Sequence, residues 1–159
     1  TAGAPSATPR NRNMTTAMHP RPGRTLLGRE LRASNDDPAA LGEAWAGFFE
    51  RGATAGIPGC QGEDIYAVYS EYEGDETQPY SYFIGCEVEA EAPVPAGMSS
   101  RVIPAGKFEA FVSEGKQPAA LMQTWAEIHA AKIERSFDMD YEIHLAEHPG
   151  RVLIYIGVK

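Results

Sequence analysis

Apolar and polar positions along this 159-residue chain follow two rhythms. Over Pro38–Arg51, Leu41, Trp45, Phe48 and Phe49 fall at i, i+4, i+7 and i+8, which places them on one face of a helix. Asp36 and Asp37 supply an N-cap, Pro38 takes the first helical position and Gly52 stops the helix. From Pro118 to Arg135, Leu121, Trp125 and Ile128 at i, i+4 and i+7 predict a second helix. The other rhythm has period two. It predicts strands over residues 24–31, 64–72, 80–88, 106–115, 138–147 and 151–159, several of them dense in Tyr and β-branched residues. The acidic turn "EGDETQP" joins 64–72 to 80–88 as a hairpin, and "EAEAPVPAGMSS" (89–100) is a Pro-rich connector.

The resulting order is strand–helix–strand–strand, stated twice. One helix on three strands buries too little to stand well alone. Two such halves joined edge to edge give a continuous antiparallel sheet with two helices on one face and a cleft between them, an α+β fold. The halves are about 21–92 and 98–159, within one domain spanning 21–159. Both helices open on P-A-A-L-x-x-x-W-A, at Pro38 and again at Pro118. Pro at N1, helical Ala and a buried Leu/Trp face are generic choices, so convergence is one reading. Six identities in nine positions, in matching topological slots, favour duplication.

Residues 1–20, rich in Ala, Thr, Pro and Asn, have the composition of a disordered tail, with Met14 as a candidate native start. They contain no apolar stretch of the kind a secretory signal needs. Charge is unevenly spread. Residues 1–34 carry six Arg and one acid, whereas residues 35–159 carry eight bases against 21 acids. That acidic body repels nucleic-acid phosphates and favours cations at long range, although acids also serve solubility. No apolar run is long enough for a membrane helix. Cys86 reads as a small core residue and Cys60 as a loop thiol. A disulfide between them is not indicated, which makes a reducing compartment, the cytoplasm, the default.

Candidate chemistry concentrates in two places. The aromatic supply (Trp45, Phe49, Tyr66, Tyr69, Tyr80, Tyr82, Phe83, Trp125, Tyr141, Tyr155) is large for a core and suits a cavity that takes flat or cationic organic ligands. For any single ring, core packing is the favoured explanation over a pocket wall. In "DMDYEIHL", Asp138, Asp140, Glu142 and His144 alternate with apolar neighbours. Their face either meets water or lines the cleft. A carboxylate screened by aromatics is costly without a partner, and an arriving cation lowers that cost. His144 and His148 span a strand end and a turn, so they need not converge on a metal. No metal site or cofactor is expected, and no nucleophile motif or phosphate loop is present.

"DIYAVYSEYEGDETQPYSYFIGCEV" (64–88), "IPAGKFEAFVSEG" (103–115), the Trp-bearing second helix and "DYEIHLAE…VLIYIGVK" together resemble the GyrI-like effector-binding family. This is the ligand-sensing domain of AraC-type and MerR-type multidrug regulators such as Rob and BmrR, found also as free-standing, integron-cassette proteins. The resemblance covers about residues 22–159. It implies a tandem strand–helix–strand–strand fold with a ligand cleft between the helices. It also implies a Glu on the penultimate strand that meets cationic drugs, a position held here by Glu142. Trp125 matches the second-helix aromatic, and Tyr66, Tyr69 and Tyr82 match strand aromatics.

The expected ligand-binding set is therefore Glu142, Trp125, Trp45, Phe49, Tyr66, Tyr69, Tyr82 and Tyr155, serving a hydrophobic or cationic small molecule. Neither a nucleic acid nor a membrane is expected as partner. Two other readings stay open. One is a hydrolase that uses Glu142 as general base on a pocket-bound electrophile, with a Tyr as acid. The other is a protein-interaction module or homodimer.

Overall fold

The computed structural model describes the backbone of residues 18–21 and the whole of residues 23–159. Of the tail read over residues 1–20, residues 1–17, with the candidate start at Met14, lie outside the described residues. Among the described residues, eight strands form one antiparallel sheet: β1 (Met18–Arg21), β2 (Arg24–Ala33), β3 (Ile65–Ser70), β4 (Tyr80–Val88), β5 (Ser99–Ile103), β6 (Gly106–Glu114), β7 (Arg135–His144) and β8 (Arg151–Val158). α1 (Pro38–Glu50) follows β2, and α2 (Ala119–Ala130) follows β6. The spatial order is β1-β6-β8-β7-β3-β4-β2-β5. The chain thus has the expected α+β architecture, and β3 pairs with β7 at the centre of the sheet.

Local chemistry explains the helix ends. Pro38 sits at N1 of α1 behind Asp37, whose side chain makes no capping bond, and Gly52 leaves the helix with φ 97°. That left-handed conformation is cheap only for glycine. At α2, the Gln117 side-chain oxygen accepts from the Leu121 N–H.

Two strands and one boundary differ from the sequence reading. β1 occupies residues read as tail, and β5 occupies the end of the Pro-rich connector. α2 ends at Ala130 rather than Arg135, because Arg135 opens β7 and is buried against Asp140. A tertiary ion pair here overrides a helix-friendly sequence. β7 also loses register between Arg135 and Asp140, so Asp138 is exposed instead of sharing the Glu142 face.

The sheet curls strongly. β1 runs into β2 within a few residues, yet β1 pairs with β6 while β2 pairs with β4 and β5. β5 and β6 are arranged likewise. Both flanks must therefore face one another. Leu26 and Ile103 from one flank pack with Phe108 and Ala110 from the other, in one core that also holds Tyr66, Tyr141 and Tyr155. The opposite face carries the helices. α1 covers Leu27, Ala67, Tyr82 and Ile84, and α2 covers Phe111, Val152, Ile154 and Ile156.

Gly28 and Gly85 pair across β2 and β4 where this curl needs close backbone approach. A Cβ on Gly85 would lie 2.2 Å from the Leu27 carbonyl oxygen. Gly85→Ala is expected to destabilise the fold by about 1–3 kcal/mol or more, since backbone must move. A urea melt checks this, and an unchanged midpoint would show that the strands are not held this close.

Cys60 and Cys86 form a disulfide with Cα atoms 5.6 Å apart, which corrects the unpaired reading. Their 26-residue separation hid the pairing, because the loop after α1 folds back onto β4, with the Gln61 N–H donating to the Glu87 carbonyl. Unpaired thiols were the ground for expecting a reducing compartment, and that ground is removed. Replacing both cysteines with Ala is expected to cost about 2–4 kcal/mol by freeing the loop. Equilibrium unfolding with and without reductant measures it. Wild type should show no reactive thiol before reduction.

Candidate functional site

β7 presents Asp140, Glu142 and His144 at successive inward positions of the helix-covered face. Asp140 and Glu142 are essentially inaccessible, at 0% and 1% exposure. Two carboxylates this deep demand partners, and they solve the problem differently.

Asp140 has a fixed cation. The Arg135 guanidinium donates to it at 2.7 Å, the Tyr72 hydroxyl donates as well, and the Gly157 N–H donates to its other oxygen at 2.9 Å. Burial nevertheless outweighs these bonds and pushes its carboxyl above the usual range. Arg135 is itself buried, with its guanidinium 4.4 Å from the centre of the Phe137 ring.

Glu142 has no such arrangement. The Tyr69 hydroxyl and the Trp125 indole N–H each donate to its Oε2 at 2.7 Å. His144 Nε2 lies 2.7 Å from its Oε1 and is the ion-pairing group beside it among the described residues. β3 delivers Tyr69 because Ala67 faces Glu142 in register, putting Tyr69 two residues along the same face. α2 delivers Trp125 from the face anchored by Ile128.

An aromatic box surrounds the carboxylate. Tyr69 touches Tyr80, Tyr82 and Trp125, with ring centres 5.5, 5.0 and 5.2 Å away. From α1, the Trp45 ring lies against His144, tilted by 53° with ring centres 4.7 Å apart, and donates its indole N–H to the Tyr82 hydroxyl at 2.7 Å. Phe49, 57% exposed, lies 5.9 Å from Trp45 and forms the rim. Burial, reinforced by the Glu142 charge, holds the Tyr69 and Tyr82 hydroxyls well above the ordinary phenol range and pushes Tyr80 up to about 12. These hydroxyls therefore remain protonated donors at neutral pH.

Of the eight residues expected at the site, six converge here: Glu142, Trp125, Trp45, Phe49, Tyr69 and Tyr82. Tyr66 and Tyr155 do not. They pack with Tyr141 on the opposite face of the sheet. Strand parity carried that information for Tyr66, because residues i and i+3 of one strand cannot share a face with each other, and Tyr69 faces Glu142. His144, Tyr80 and the Arg135–Asp140 pair were not singled out as site residues. The alternation in "DMDYEIH" already put His144 in phase with Glu142.

The family described as integron-associated effector binding protein (Cass2) matches residues 19–158. The chain belongs to this family. Its fold is shared with an integron cassette protein from the mobile metagenome of Vibrio cholerae, with TM-score 0.75 and 20% identity over 93% of this chain and 97% of that one. It is similar also to SAV2435, solved bound to tetraphenylphosphonium, with TM-score 0.75 and 18% identity over 92% and 94% of the two chains. The C-terminal domain of the EcmrR protein is a more distant likeness, with TM-score 0.55 and 12% identity over 92% and 98%. No curated protein matches. The family assignment makes effector binding the chain's role at the level of the family. Among the described residues no helix is long and apolar enough to cross a membrane, and no group of His, Cys, Asp and Glu is placed to hold a metal ion.

Proposed function

We propose that this Cass2-family chain binds lipophilic organic monocations between α1 and α2, with Glu142 as the countercharge. The observation that carries this reading is the contrast between the two buried acids. Asp140 is neutralised by Arg135, whereas Glu142 is held by a phenol, an indole and an imidazole inside an aromatic box. Hydrogen bonds of about 1.5–3 kcal/mol each offset part of the cost of burying that charge. An organic cation offsets the rest and gains contact with the faces of Trp45, Tyr69 and Trp125. Binding of tetraphenylphosphonium by SAV2435, a protein of the same fold, is in line with this choice of ligand class.

Glu142 is 1% exposed here, so entry of a ligand requires the aromatic side chains around it to part. The ligand then selects an opened arrangement. We read the two walls as a duplicated frame, with Trp45 and Trp125 as approximate mates. The palindromic strand order and the repeated P-A-A-L-x-x-x-W-A support this. Titrating tetraphenylphosphonium against tryptophan fluorescence tests the reading. Saturable quenching is expected, and its absence up to millimolar cation would sink it.

A further inference from the structure

Among the described residues, two at the site have the side-chain type that changes charge between pH 5 and 8: His144 beside Glu142, and His129 on α2, whose ring centre lies 5.5 Å from that of Trp125 and whose imidazole burial pushes below its usual range. The His144 Nε2 lies 2.7 Å from Glu142 Oε1, its ring centre is 4.7 Å from that of Trp45, and its side chain is 24% exposed. It can therefore exchange a proton with water while touching a carboxylate that has no other ion-pairing group among the described residues. The remaining surroundings leave it free to play this part. Its register partners are Ile65 on β3 and Val152 on β8, both apolar. Asp64, just before β3, accepts from the Ala146 N–H. Trp45 faces it from α1, Tyr69 and Trp125 reach Glu142 from β3 and α2, and Asp140, one step further along β7, is committed to Arg135.

We propose that His144 is the resident counter-cation of the site. Protonated, it pairs with Glu142. An incoming monocation takes over that carboxylate charge, and the imidazolium releases its proton to solvent. Neutral His144 keeps its Nε2–H on Glu142, so the hydrogen bond survives while the net charge of the pocket is conserved. Cation and proton thus compete for one carboxylate, which makes the site selective for ligands carrying a single positive charge. Acid weakens binding and alkali strengthens it, and by linkage the ligand expels what the acid adds. This inference rests on the reading of Glu142 as the cation acceptor.

Calorimetric titration with tetraphenylphosphonium from pH 5 to 8, in two buffers of different ionisation enthalpy, tests it. Wild-type affinity should rise by up to about tenfold per pH unit on the acid side and then level off, with close to one proton released per cation where the rise is steepest. His144→Gln, which keeps an N–H donor without the charge, should bind at all pH values with a flat profile and no proton release. Binding that is flat with pH in wild type, or a slope that survives in His144→Gln, overturns the role of His144 while leaving cation binding intact. No binding at any pH overturns both. Should His144→Gln fail to fold, proton release by wild type decides alone. In ligand-free protein carrying His129→Gln, which removes the imidazole beside Trp125, acidification should quench Trp45 through the adjoining His144 imidazolium, and a fluorescence constant from pH 8 to 5 would contradict the pairing.

Discussion

Glu142→Gln should weaken tetraphenylphosphonium binding by about 100-fold, the order expected when one partner of a desolvated charge pair is removed. The amide keeps the size of the side chain and can still accept from Tyr69 and Trp125. Packing is therefore largely preserved, and the loss reports charge. The folded state should not suffer, because an uncharged group at 1% exposure is cheaper to bury than a carboxylate. Thermal stability equal to or above wild type, together with the affinity loss, is the combined outcome to look for. Affinity retained by a well-folded Glu142→Gln would mean that the aromatic box alone holds the ligand.

The second large effect belongs to stability rather than binding. Arg135→Met should cost about 3–5 kcal/mol at neutral pH, because it leaves Asp140 buried without its cation. The sign of the accompanying pH dependence follows from the raised folded-state carboxyl. A carboxyl that holds its proton more tightly when folded makes stability fall as pH rises from its unfolded towards its folded titration range. Removing Arg135 deletes an influence that opposes this shift, so the variant should be least impaired in acid. Asp140→Asn in the same background should recover much of the loss. Chemical denaturation of the four proteins in this cycle measures the coupling. Additive losses would show that the two residues do not act as a pair.

These two acids, two residues apart on one strand, are held in different ways. Arg135, Tyr72 and the Gly157 N–H fix Asp140 as part of the frame. Glu142 is left to neutral donors and a titratable ring. Their difference was partly legible in the sequence. Alternation put Asp140, Glu142 and His144 in phase, and the helical spacing of Trp45 and Trp125 put an indole on each wall. Arg135 could not be read this way. It was assigned to the end of α2, whereas a bulged β7 turns it back onto its own strand.

The same physical limit accounts for the missing strands. Period-two patterning found β2, β3, β4, β6, β8 and the part of β7 from residue 138 onward, whose burial alternates or is continuous. β1 and β5 are short flank strands that pair with partners in the other half of the chain. Their backbone bonds are decided by the curl of the whole sheet, which no local window contains. The disulfide escaped for a like reason, since a loop fold-back across 26 residues set it rather than a spacing motif. Tyr66 and Tyr155 show the opposite case. They are aromatic and sit on the right strands, but an aromatic count ignores which face each ring takes.

The central claim, that a single buried carboxylate selects positive charge, is tested most directly by two ligands of one shape and opposite sign. Tetraphenylphosphonium and tetraphenylborate should be titrated against the wild-type protein under identical conditions. Saturable binding of the cation with binding of the anion at least about 100-fold weaker is the predicted outcome. Equal affinity for both would show that the aromatic box reads shape alone, and would contradict the role assigned to Glu142.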